Sequence, residues 1–204
     1  MGNLEVTVKE FSATDRYYID HAQDYANRTL IADMSELHDR FISRLPIGSR
    51  ILDAGCGSGR DLKVFTQLGY HAFGIDASTP LIEIAKAYSG AACAVGRIED
   101  INEVGCYEGI WACASLLHFP KSTIVSVLAR LRKALVPGGV LFVSVQEGQG
   151  EREIFDRRFF AYYQMPELIN ALKAAEFSIT ESWITKDSLR RGLAGRWINV
   201  LATA

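Results

Sequence analysis

Cysteine is scarce in this chain, with four among 204 residues, and Cys56, Cys93, Cys106 and Cys113 form no Cys-x-x-Cys pair and no zinc-ligand spacing. All four sit in apolar or small-residue contexts, which predicts reduced cysteines in a core and a cytoplasmic setting. No apolar run approaches the ~20 residues needed to span a membrane. Residues 1–11 lack a basic start followed by an apolar stretch, so no signal peptide is expected. A surplus of charge is missing too. Lys and Arg number 22, Asp and Glu 24, and the net charge is −2, which removes any global attraction to nucleic acid or anionic membrane. There is no internal repeat and no linker. A length of 204 residues with 49% hydrophobic composition suits one domain with a sizeable core.

What is present is organised around Arg50-Ile51-Leu52-Asp53-Ala54-Gly55-Cys56-Gly57-Ser58-Gly59-Arg60-Asp61-Leu62. Ile51 and Leu52 read as a buried strand of a parallel sheet. Gly55, Gly57 and Gly59 then alternate with small residues, where glycine permits positive φ and lets a ligand approach the backbone. From Arg60 the spacing turns helical, with Leu62, Phe65 and Leu68 on one face. Unsatisfied N–H groups at a helix start carry partial positive charge. A dinucleotide loop would read Gly-x-Gly-x-x-Gly; here the spacing is Gly-x-Gly-x-Gly, and a carboxylate beside it, Asp53, opposes a pyrophosphate. A ligand end carrying both an ammonium and a carboxylate suits the Asp and the N–H groups together, as in S-adenosylmethionine (SAM). Some twenty residues on, the strand Tyr70–Ile75 ends at Asp76. That carboxylate can accept both hydroxyls of a ribose or cap the helix over 78–88.

Leu52 to Gly59 closely resembles the first motif of the class I SAM-dependent methyltransferases, and the resemblance continues in order over roughly residues 48–145. It implies an α/β fold: a Rossmann-like, doubly wound sheet of seven strands, mostly parallel with an antiparallel last strand, under a helical N-terminal lid. It divides the single domain into a lead-in over 1–46 and a core over 47–204. The cofactor contacts it implies are Asp53, Ala54, Gly55, Cys56, Gly57 and Gly59 at the loop, and Asp76 and Ala77 after the second strand. Arg97, Ile98 and Glu99 form the adenine turn, where Glu99 or Asp100 receives the exocyclic amine. Ala114 stands at the end of the fourth strand. In the lead-in, read as helices over 15–30 and 31–45, Tyr25, Arg28 and Thr29 either contact the cofactor or pack the lid on the sheet.

The fourth strand, Tyr107–Ala114, leads into Ser115-Leu116-Leu117-His118-Phe119-Pro120, a crevice position in such sheets. His118 serves there as general base, or only caps and packs the loop. The helix over 122–135, the break Val136-Pro137-Gly138-Gly139 and the strand Val140–Val145 also match the family. From Gln146 to Tyr163 a loop is expected. Its Arg157-Arg158-Phe159-Phe160-Ala161-Tyr162-Tyr163 run either forms a substrate wall through Arg158, Tyr162 and Tyr163 or docks on the lid. A helix over 166–175 and antiparallel strands over 177–184 and 197–202 follow, with Arg190, Arg191 and Arg196 near the last. The chain lacks the Asn/Asp-Pro-Pro-aromatic segment of amino-methylating enzymes and the Pro-Cys nucleophile of cytosine-C5 enzymes, so DNA-base methylation is not expected. No metal ligand set is seen. The function this implies is methyl transfer from SAM, with S-adenosylhomocysteine (SAH) as product, to a small, polar or anionic acceptor. The alternative is a SAM-binding sensor or partner protein without transferase activity.

Overall fold

The computed structural model describes residues 11–186 and 195–204; Arg190 and Arg191 lie outside them. Seven strands form one sheet: β1 (Arg50–Ala54), β2 (His71–Asp76), β3 (Ala92–Val95), β4 (Tyr107–Cys113), β5 (Leu135–Gln146), β8 (Ser178–Lys186) and β9 (Arg196–Thr203). Their order is β3-β2-β1-β4-β5-β9-β8. The first five pair in parallel, and β9 runs antiparallel to both β5 and β8. β6 (Glu151–Glu153) and β7 (Phe159–Ala161) make a separate hairpin within the stretch expected to be loop.

Parallel neighbours need crossovers, and helices supply them: α4 (Arg60–Gln67), α5 (Thr79–Ser89) and α6 (Lys121–Ala134), with α7 (Met165–Ala174) leading into β8. Adjacent strand residues point to opposite faces, so each central strand feeds two cores. Leu52, Ile110 and Leu141 join one core; their neighbours Ile51, Trp111 and Phe142 join the other. In the second core the Trp111 and Phe142 rings stack at 4.0 Å, and Phe41 and Phe65 pack around them.

The lead-in is three helices rather than two: α1 (Ala13–Asp20), α2 (Ala22–Thr29) and α3 (Ser35–Ile42). A capping box starts α1, with the Ser12 hydroxyl accepting from the Asp15 N–H and the Asp15 carboxylate accepting from the Ser12 N–H. His21 leaves the helical region at φ −115°, ψ 23° and breaks the expected single helix. The Asp33 side chain accepts from the Ser35 N–H and starts α3 late. The Pro137-Gly138-Gly139 segment does not separate helix from strand. β5 opens at Leu135 opposite Tyr107 and resumes after a register shift at Val140 opposite Gly109.

Candidate functional site

At the carboxyl end of β1 the chain turns through Gly55 and Gly57 at φ +85° and +53°. A Cβ on Gly55 would lie 2.5 Å from the Ser115 Cβ, so the loop and the segment after β4 touch backbone to side chain. Asp76 binds this loop to the next crossover: its carboxylate accepts from the Gly57 N–H at 3.0 Å and from the Ser78 N–H at 2.9 Å. Ser78, not Asp76, caps α5, accepting from the Leu81 N–H. Burial raises the Asp76 pKa, and the two N–H bonds act against that rise.

A cavity of about 310 Å³ opens over these residues, lined by Gly55, Gly57, Asp76, Ala77, Arg97, Ile98, Glu99 and Ala114. Glu99 is on its wall; Asp100 is not. Asp53, Ala54, Cys56 and Gly59 line neither this cavity nor the larger one described below. Gly59 serves packing, since a Cβ there would stand 2.9 Å from the Ala85 Cα. Asp53 is buried at the end of β1, and its Oδ2 has no partner among the described residues. Burial, then the Asp61 carboxylate, raises its pKa well above the ordinary range.

Helix α1 roofs this cavity. Its Asp15 accepts from the Arg97 guanidinium at 2.7 Å, its Thr14 hydroxyl accepts from the Phe159 N–H at 2.9 Å, and its Tyr18 carbonyl accepts from the Ser78 hydroxyl at 3.0 Å. One helix is thereby tied to the turn after β3, the hairpin and the start of α5.

A second cavity of about 660 Å³ adjoins the first; Tyr18, Tyr25 and Ala114 line both. Ala114 holds a left-handed backbone at φ 58°, with its N–H donating to the Ser144 carbonyl at 2.9 Å. Such strain in a non-glycine residue costs on the order of 1–3 kcal/mol and collects at functional sites. Ser144, Gln146 and Trp197 come to this cavity from β5 and β9, Cys113 from β4, and Arg28, Thr29, Met34 and Leu37 from the lead-in. Cys113 therefore borders a cavity instead of lying in the core, and its thiol, raised by burial to about 12, stays protonated.

Arg28, Arg60 and Arg158 line the larger cavity, and the last two are each gripped by an aspartate. Arg158 donates from Nε and Nη2 to Asp156, with Nη2 at 2.7 Å, and from Nη1 to the Tyr18 hydroxyl at 3.4 Å. Arg60 donates from Nε and Nη2 to Asp61, both at 2.8 Å. Sequence reasoning passed over Arg60; its only signal was an Arg-Asp pair at a helix start. Asp61 is fully enclosed and also bonds His38 Nε2 and the Trp111 indole N–H, both at 2.9 Å. Burial would raise the Asp61 pKa, but Arg60 and His38 overcome this and hold the carboxyl below the usual range.

His118 lines the smaller cavity, not the larger. Its Nδ1 bonds the Phe159 carbonyl at 2.8 Å, which places the proton on Nδ1 and leaves Nε2 to accept from the Tyr18 hydroxyl at 2.9 Å. Burial pushes its pKa down to about 4, so the ring is neutral near pH 7. His118 thus stands behind Tyr18 and Phe160, both of which line the larger cavity. The structure does not bring Tyr162 or Tyr163 there either. Tyr162 stacks on Phe160 under Arg152, and Tyr163 is buried beneath Lys121 with its hydroxyl unpartnered among the described residues. Phe160 takes the wall position beside Arg158. A cavity of about 310 Å³ at a Gly loop, joined side by side to a larger one lined by arginines, can bring two ligands into contact for group transfer.

Comparisons with known proteins place the fold and the family. The chain is 30% identical over 124 residues to the probable tRNA methyltransferase 9B of Bos taurus, a match of 58% of this chain and 26% of that protein. It is 29% identical over 106 residues to the ubiquinone biosynthesis O-methyltransferase of Xanthomonas axonopodis pv. citri, covering 48% of this chain and 44% of that one. The chain thus spans about a quarter and under half of the lengths of these relatives. Its fold is similar to that of the Burkholderia thailandensis 1,6-didemethyltoxoflavin-N1-methyltransferase, solved with 1,6-didemethyltoxoflavin and SAH, at a TM-score of 0.74 and 22% identity over 92% of this chain and 84% of that one. A family model described as a methyltransferase domain matches residues 25–182, and this chain belongs to that family.

Proposed function

We propose that this chain transfers the methyl group of SAM to a small, polar or anionic acceptor. The observation that carries the reading is the pair of cavities meeting at Tyr18, Tyr25 and Ala114. SAM, when bound, supplies a methyl group activated on a sulfonium sulfur. Its holders on this reading are Asp76 for the ribose hydroxyls, Ile98 and Glu99 for the adenine, Gly55 and Gly57 for close backbone approach, and Asp53 and Ala114 near the amino-acid end. The Asp53 carboxyl is buried behind the Gly loop and lines neither cavity, so on this reading it acts on the amino-acid end through the loop and not by direct contact.

The chain's own residues position the acceptor and exclude water. Arg158, gripped by Asp156, presents a fixed cation beside Phe160, which favours an anionic or strongly polar group on a flat molecule. The roof formed by α1 covers the smaller cavity and reaches its border with the larger one at Tyr18, which limits the access of bulk water from that side. Where an acceptor must lose a proton, the Tyr18 hydroxyl faces it, and His118 Nε2 behind Tyr18 can receive that proton.

The test is the fate of labelled methyl. With methyl-labelled SAM and a cell extract split into small-molecule and tRNA fractions, label is expected in small molecules, with SAH released. Label in tRNA contradicts the acceptor class. SAH binding without any transfer would favour the sensor or partner reading.

A further inference from the structure

Three strands of the sheet turn from apolar to polar in step. On one face of β5, Val140 and Phe142 belong to the second core, and the same alternation carries on to Ser144 and Gln146. On β9, Leu201 pairs with Phe142, Asn199 with Ser144 and Trp197 with Gln146. On β8, Trp183 pairs with Asn199 and Thr185 with Trp197. Paired residues share a face, and the change of character falls where the larger cavity begins: Ser144, Gln146, Thr185 and Trp197 all line it. Ser144 is 2% and Gln146 8% exposed, yet neither side chain has a hydrogen-bond partner among the described residues. Thr185 is set to donate, because its hydroxyl oxygen accepts from the Asn199 amide at 3.0 Å and its own proton is left over. Apolar residues here would extend the core, whereas buried polar groups left unpaired cost free energy, which a ligand in the cavity would recover by pairing them. The three arginines reach the cavity from α2, from α4 and from the hairpin, so the side chains of this floor are uncharged up to the exposed Lys186 at the end of β8.

We infer that Ser144, Gln146 and Thr185 form a specificity subsite that reads a neutral amide or lactam group on a planar acceptor. A glutamine side chain offers a carbonyl and an N–H side by side, and an amide presents the same two groups in reverse. Uncharged side chains do not neutralise a buried carboxylate, which belongs with the arginines instead, and the Trp197 and Phe160 rings in the same lining suit a flat molecule. The inference rests on the methyl-transfer reading, in which the larger cavity takes the acceptor. Neither Ser144 nor Gln146 lines the smaller cavity, so SAH affinity is the control. The test is ligand-observed NMR titration of the SAH-saturated protein with benzamide, acetophenone and benzoate, three flat rings that differ in one polar group. Wild type is expected to bind benzamide at least about tenfold more tightly than acetophenone, which keeps the carbonyl but has no N–H to give the Gln146 oxygen. Gln146→Leu should remove that preference, with benzoate and SAH affinities within about twofold of wild type. Ser144→Ala breaks no bond to the protein, so its fold stays intact, and it should weaken benzamide selectively by about threefold. Equal affinities for benzamide and acetophenone in wild type would overturn the inference. So would losses shared by all three probes in the variants, which would leave these residues only shaping the cavity, or a selective loss of benzoate, which would make the floor an anion site. A protein that binds SAH and none of the probes also overturns it. Failure to bind SAH is a separate result, which removes the methyl-transfer reading itself and this inference with it.

Discussion

Asp61→Ala is expected to lower the free energy of unfolding by about 3–5 kcal/mol, the cost of removing one partner from a buried ion pair. The Asp61 carboxylate accepts four hydrogen bonds: two from Arg60, one from His38 and one from the Trp111 indole. Without it the Arg60 charge has no counter-ion, and a fully buried Trp111 N–H has no acceptor. A domain of this size typically holds about 5–15 kcal/mol in all, so the loss is a large share of its stability. The unfolding temperature should fall by about 6 to 20 °C. Urea unfolding measures the effect, and a change under about 1 kcal/mol would show the network to be slack. Its pH dependence follows in sign. Because Asp61 titrates below its unfolded value, the unfolded chain takes up the proton first, so the contribution is complete above about pH 5 and is lost as pH falls through about 4 and below.

Asp76→Ala should weaken SAH binding by at least about tenfold, equivalent to about 1.4 kcal/mol. Two hydrogen bonds from ribose hydroxyls to a carboxylate are each worth about 1.5–3 kcal/mol before water compensates. The same substitution leaves the Gly57 and Ser78 N–H groups without their acceptor, so stability should fall by about 1–3 kcal/mol as well. Titration at a temperature where circular dichroism shows both proteins folded separates the two effects. An affinity within about twofold of wild type would confine Asp76 to tying the loop to α5.

The Gly loop, the parallel strands and Asp76 could be read from the sequence because each rests on a local signal: a short apolar run, glycine spacing, or an acid at a strand end. The Arg60 network could not. Arg60 and Asp61 are neighbours in sequence, but His38 and Trp111 reach them from a lead-in helix and from the fourth strand, and no local pattern reports that meeting. The aromatic run left a substrate wall and docking on the lid both open for a related reason. Within β7 the side chains alternate, so Phe160 reaches the cavity wall, whereas Tyr163, beyond the strand, is buried under Lys121. His118 follows the fourth strand, but its contacts are not local: Tyr18 lies a hundred residues away on α1 and Phe160 on the hairpin.

Titration calorimetry of the wild-type chain with SAH, and with NAD as control, bears most directly on the central claim. A saturable heat with SAH at one site per chain, and none with NAD, is the predicted result. Tight NAD binding with no response to SAH would contradict the account.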